Sequence, residues 1–200
     1  MAKPGDEFLS VPARAEKLPP DFPLLGLNAV LGDFWSWAYS DILSNTIRPM
    51  FAEFLVARAL GITEDPRVEW DAVDLRYRNK RLEVKSTAYL QSWPQRELSN
   101  IRFDIAKRLS FHADTGRSER EPIRSADCYV FCLYGETAPE GRNARAVLDV
   151  TNWSFYVASS AEVEASFGAQ KSIRLAALAV FGPCDFPQLR PRIEEKLELR

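Results

Sequence analysis

The chain carries one histidine, His112, and three cysteines in 200 residues. A single histidine excludes any mechanism that needs two and argues against a histidine-rich zinc site. Cys128, Cys132 and Cys184 are too few for a disulfide framework. The first two lie in a strand-like run with Tyr129, Val130, Phe131 and Leu133, where core packing is their simplest role. Sparse cysteines fit a reducing compartment, so the expected location is cytoplasmic. No apolar run reaches the roughly 18 residues of a membrane span, and no basic segment followed by an apolar core marks a signal peptide. Glycine-rich phosphate loops and a G-x-S-x-G elbow are missing, as are internal repeats and an interdomain linker. Positive charge is not in excess: the net charge is −2 and the sequence pI about 5.6. Contact with a polyanion must therefore come from a local basic patch.

What is present reads as one globular domain. Hydrophobic residues make up 46% and charged residues 27%, ordinary proportions for a chain of this size, which buries roughly 70% of its unfolded surface. Residues 1–32 read as an irregular N-terminal arm, since five of the 13 prolines fall before residue 24. Residues 33–200 read as a single α/β domain. Gly32-Asp33 offers an N-cap to a helix whose apolar stripe runs through Phe34, Trp35, Trp37, Ala38, Ile42 and Leu43. Asn45-Thr46 offers a second cap, Pro49 falls in the first turn, and a second helix runs to a C-cap at Gly61.

Glu53 stands out in that second helix, because Met50, Phe51, Ala52, Phe54, Leu55, Val56 and Ala57 surround it. A buried carboxylate costs several kcal/mol unless it is paired, protonated or bound to metal. Glu53 is thus a third acid for a nearby site, or it lies on a narrow wet stripe, or it pairs with Arg58.

The stretch Asp71 to Lys85 alternates apolar and polar residues on both sides of Asn79-Lys80, which reads as a β-hairpin. A turn at Asn79-Lys80 pairs Tyr77 with Leu82 and Asp74 with Lys85. Side chains alternate across a strand, so Asp74, Glu83 and Lys85 share one face and Val73, Leu75, Leu82 and Val84 the other. Two carboxylates and an ammonium on one patch suit a divalent cation that lowers the pKa of a bound water, with the lysine orienting or deprotonating that water. The alternative is a solvated face with cross-strand charge pairs worth about 0.2–1 kcal/mol each.

Further along, Gln91 and Gln95 are neutral donors within reach of a phosphate or base, and Tyr89 and Trp93 either stack on bases or pack in the core. Ile101, Phe103 and Ile105 alternate as a strand. Residues 112–124 read as a polar loop whose arginines either touch a phosphate backbone or are solvated. Ala126 to Tyr134 is the strongest buried-strand signal. Trp153 to Ala158 reads as a strand, Ser160 to Phe167 as a short helix, and Ile173 to Phe181 as helix or strand. Leu189, Ile193 and Leu197 fall on one face of a charged C-terminal helix at the surface.

A helix with a lone glutamate, then Asp-x8-Glu-x-Lys on a hairpin, then a glutamine, resembles the PD-(D/E)XK nuclease superfamily, the restriction endonuclease-like fold. Trp35-x-Trp-Ala-Tyr-Ser40, Glu83-Val-Lys-Ser86 and Ala88-Tyr-Leu-Gln-Ser-Trp93 are similar to an uncharacterised bacterial branch of it. The resemblance implies an αβββαβ core over roughly residues 33 to 135, with a mixed sheet flanked by helices and a C-terminal elaboration. It implies that Asp74 and Glu83 hold Mg²⁺ or Mn²⁺, that Lys85 serves the attacking water, that Glu53 completes the metal site, and that Gln91 is the glutamine beyond the motif. Val73 stands where the motif's proline would be, and Asp71 is an alternative first acid. The activity implied is metal-dependent hydrolysis of DNA in restriction, repair or phage defence. A catalytically silent module that binds nucleic acid or a partner protein is the alternative. A homodimer and a targeting partner both stay open.

Overall fold

The computed structural model describes residues 15–69, 73–109, 111–112, 117–118 and 121–199; Asp71 lies outside them. Strand propensity and apolar content concentrate in Cys128–Tyr134, all seven residues of which are buried. This is the centre of a mixed five-stranded sheet. In chain order its strands are β1 (Leu75–Tyr77), β2 (Lys80–Ala88), β6 (Cys128–Tyr134), β7 (Trp153–Ser159) and β9 (Pro183–Cys184), and they lie side by side in that order. The β2–β6 pair is parallel; the other three pairs are antiparallel. Outside the sheet, β3 (Arg102–Asp104) pairs with β8 (Ser172–Arg174), and β4 (Phe111–His112) with β5 (Arg117–Ser118). Residues 112–124, expected as a loop, thus carry part of a short hairpin.

Two helices cover one face of the sheet. α2 (Ile47–Leu60) is stopped by Gly61, whose φ of 72° is the left-handed turn the sequence suggested. α6 (Phe186–Lys196) starts from Asp185, whose carboxylate accepts the Gln188 N–H. Leu55, Val56, Leu82, Val84, Val130 and Phe155 share one core cluster with Leu189, Ile193 and Leu197. The C-terminal helix is therefore a wall of the core. The other face is covered by the β3–β8 ribbon, α4 (Ser160–Phe167) and α5 (Leu175–Leu178), which close over Tyr129, Phe131 and Leu133. The stretch Ile173–Phe181 resolves as strand, then helix, then a 3₁₀ turn. A five-residue helix, α3 (Ala144–Leu148), joins β6 to β7.

Three expectations need correction. First, α1 spans Leu31–Tyr39 with none of its residues buried. Asp33 lies in its first turn, where its carboxylate accepts the Val30 N–H at 2.9 Å. The aromatic stripe faces outward, with Trp37 85% exposed. Second, the hairpin turn is Arg78-Asn79, both with positive φ, and the pairs are Leu75↔Leu82, Arg76↔Arg81 and Tyr77↔Lys80. Asn tolerates the left-handed region and a two-residue turn of this hand follows the strand twist; the Arg78 guanidinium lies 5.2 Å from the Tyr77 ring centroid. Sliding the turn by one residue moves the register by two, which keeps the side chains of the paired residues on their faces. It brings Glu83 across from Asp74 in place of Lys85. Third, Val73 joins Tyr129 and Phe131 on the far side of the sheet, because β1 begins at Leu75 and the alternation does not extend back past Asp74.

The chain is thus α/β, with a mixed sheet flanked by helices. In the implied αβββαβ order a helix precedes the last strand; among the described residues between β2 and β6 there is none. That crossover consists of turns, loops and the short strands β3 to β5.

Candidate functional site

Asp74 sits where β1 has run out. Its backbone N–H donates to the Leu82 carbonyl at 3.2 Å, while its Oδ2 accepts the Val84 N–H at 2.7 Å. The side chain therefore continues the ladder that the backbone has left, and this fixes the carboxylate at the sheet edge. Glu83 and Lys85 come from β2, on the face that also presents their β6 partners Tyr129 and Phe131. Lys85 Nζ donates to Glu83 Oε1. Glu53 comes from α2, on the opposite face, and its side chain is only 9% exposed. The acids approach the strand end from both sides of the sheet.

Their electrostatics agree with crowding. Burial pushes the Asp74 carboxyl above its ordinary value; the Val84 N–H opposes this, the Glu53 charge adds to it, and Lys85 and Arg67 offset part. Burial also raises Glu83, with Lys85 opposing and the Asp74 charge adding. Two carboxyls held out of water within reach of each other's charge favour a proton or a cation. Hard oxygen donors of this kind suit a divalent ion.

Each acid, however, is already engaged. Arg67 grips Glu53 with both arms of its fork, Nε to Oε2 at 2.5 Å and Nη2 to Oε1 at 3.0 Å. The partner is thus Arg67 and not Arg58, whose Nη1 donates to Thr63 Oγ1. Lys85 holds Glu83, and Val84 holds Asp74. Among the described residues no group of three His, Cys, Asp or Glu side chains is arranged to hold a metal ion. The donor chemistry fits a divalent cation; the side-chain arrangement is one in which the protein's own cations stand beside the acids.

Two hollows flank the strand end. A cleft of about 830 Å³ lies between α2 and residues 61–68; Glu53 and Asp74 line it with Lys17, Arg58, Arg67 and Arg76. A cavity of about 50 Å³ on the other face is lined by Glu83, Lys85, Asp104, Arg108, Arg124 and Tyr129. Burial alone would raise the Asp104 carboxyl, but the Ala106 N–H and the Arg108 guanidinium together hold it below the usual range. Neither Arg67 nor Asp104 was singled out from sequence. A buried Glu53 demanded a cation, but nothing local marks residue 67 as its source. Asp104 shows only as the polar half of an alternating strand.

Gln91 is not with the acids. Its amide Nε2 donates to Ala88 O at 2.9 Å and Ser99 Oγ at 3.0 Å, and its Oε1 accepts from Arg48. Its backbone N–H goes to Gln95 Oε1 at 2.6 Å. Gln95 in turn donates to Tyr89 O and Ser99 Oγ. The two glutamines fold residues 88–99 onto the start of α2. Tyr89 packs against the second core cluster, while Trp93 is 48% exposed. The cysteines are free and buried, as core residues. Among the described residues, no helix is long and apolar enough to cross a membrane. Comparison with protein-family models, with curated proteins and with solved structures gives no match.

Proposed function

We propose that the chain is a Mg²⁺- or Mn²⁺-dependent nuclease of the restriction endonuclease-like kind, hydrolysing DNA phosphodiesters at the end of β1. The observation that carries this reading is the Asp74–Glu83 pair: two half-buried carboxyls, both raised by burial, with the Glu53 charge adding at Asp74 and the Asp74 charge adding at Glu83, and the Lys85 ammonium on Glu83. Asp74 and Glu83 would hold the ion, joined by Glu53. When bound, the ion lowers the pKa of a water and screens the phosphate. Lys85 orients that water or offsets the charge that builds on the phosphate. The cleft beside Asp74, with Lys17, Arg58 and Arg67 at its walls, offers positive side chains to a backbone phosphate.

The test is cleavage of plasmid and linear DNA with Mg²⁺ or Mn²⁺. Cleavage is expected from the natural chain and lost in Asp74→Ala and Lys85→Ala. Cleavage retained in both purified variants excludes this site. One observation favours a second reading, a silent module that binds nucleic acid without cutting it: Arg67, Lys85 and Val84 N–H already occupy the three acids. Binding that weakens steeply with salt, with no cleavage under any divalent ion, would select that reading.

A further inference from the structure

We propose that Arg67 is a tethered competitor for the divalent cation, which Glu53 can ligate only after the guanidinium has left. The inference rests on the metal reading above and deepens it. Glu53 is fixed on a 14-residue helix and buried, so it needs a positive partner at all times. Arg67 supplies one and takes both carboxylate oxygens, the same atoms a metal would use. The Asp74 and Glu69 charges also act on its guanidinium, and hydrogen bonding to Glu53 raises its pKa. It therefore stands among the acids as the site's resident cation.

Its support differs from theirs. Residues 62–69 form neither helix nor strand, and the Arg67 side chain is 36% exposed against 9% for Glu53. Arg67 can swing out into the cleft it lines while Glu53 stays where it is. Guanidinium and metal are then mutually exclusive on Glu53, and the affinity of the site is what remains after the ion pair has been broken.

The experiment is Mn²⁺ titration of the purified chain at neutral pH, reading free Mn²⁺ by electron paramagnetic resonance. The natural chain, Arg67→Ala, Glu53→Gln and the double variant are compared without DNA. Arg67→Ala is expected to bind Mn²⁺ about two- to fivefold more tightly, roughly what release of a partly exposed pair provides. In the Glu53→Gln background most of that gain should vanish. Arg67→Gln keeps a donor for Glu53 without the charge and serves if Arg67→Ala does not fold, as judged by circular dichroism. Equal, measurable affinities with and without Arg67 overturn the competitor and leave the metal reading standing. No Mn²⁺ binding by any variant overturns both.

Discussion

The Asp74 carboxylate accepts the Val84 N–H at 2.7 Å, so one side chain both closes the β1–β2 ladder and supplies the first acid of the candidate site. This double duty separates two substitutions that a purely catalytic residue would not. Asp74→Asn keeps an acceptor for Val84 and relieves the repulsion with Glu53 and Glu83. Asp74→Ala leaves a buried N–H unpaired. The alanine variant should lose about 1–3 kcal/mol in urea unfolding, while the asparagine variant stays close to the natural chain. Both should lose Mn²⁺ binding. Equal stability for the two would show that the ladder contact carries no weight.

Burial raises the folded-state pKa values of Asp74 and Glu83 above their ordinary 3.8 and 4.5, with the Glu53 charge adding at Asp74 and the Asp74 charge adding at Glu83. The protonated acids therefore favour the fold. That contribution is complete below the ordinary values and is lost as pH climbs through the raised ones. Without divalent ions, the natural chain should lose stability relative to Asp74→Asn/Glu83→Gln as pH rises above the ordinary carboxylate range and through the raised values. Mn²⁺ should reverse the trend at the upper end, since a bound cation favours both carboxylates. A constant difference across this range, measured by urea unfolding, would contradict the crowding.

Gln91 should behave as a structural residue. Gln91→Ala removes donors to Ala88 O and Ser99 Oγ and the acceptor facing Arg48. Arg48 is 3% exposed, and burial lowers its pKa to about 10. The expected cost is about 1–3 kcal/mol of stability, with Mn²⁺ affinity unchanged. A weaker affinity at unchanged stability would instead return Gln91 to the site.

How far the sequence spoke is clearest in the hairpin. Period two placed Glu83 and Lys85 on one face and Leu75, Leu82 and Val84 on the other, because parity survives a two-residue slip. It misplaced the turn, which depends on which two residues accept positive φ, and it misplaced Val73, which depends on where β1 stops. Gly61 was legible as a stop because only its backbone suits that φ so well. The burial of Leu189 and Ile193 was legible as a stripe, but the stripe does not say that α2 and β7 lie beneath it. α1 shows the converse: an apolar stripe that the described residues leave exposed. Glu53 announced a need for a partner, and only the folded path of residues 62–69 identifies Arg67.

The central claim is that Asp74 and Glu83 share one divalent cation. The most direct measurement is a crystal structure of the chain soaked in Mn²⁺, with the ion located by its anomalous scattering. The account predicts one strong peak roughly 2.0–2.3 Å from oxygens of both Asp74 and Glu83, with the Arg67 guanidinium displaced from Glu53. Peaks only elsewhere, with the Arg67–Glu53 and Lys85–Glu83 pairs intact at saturating Mn²⁺, would contradict it.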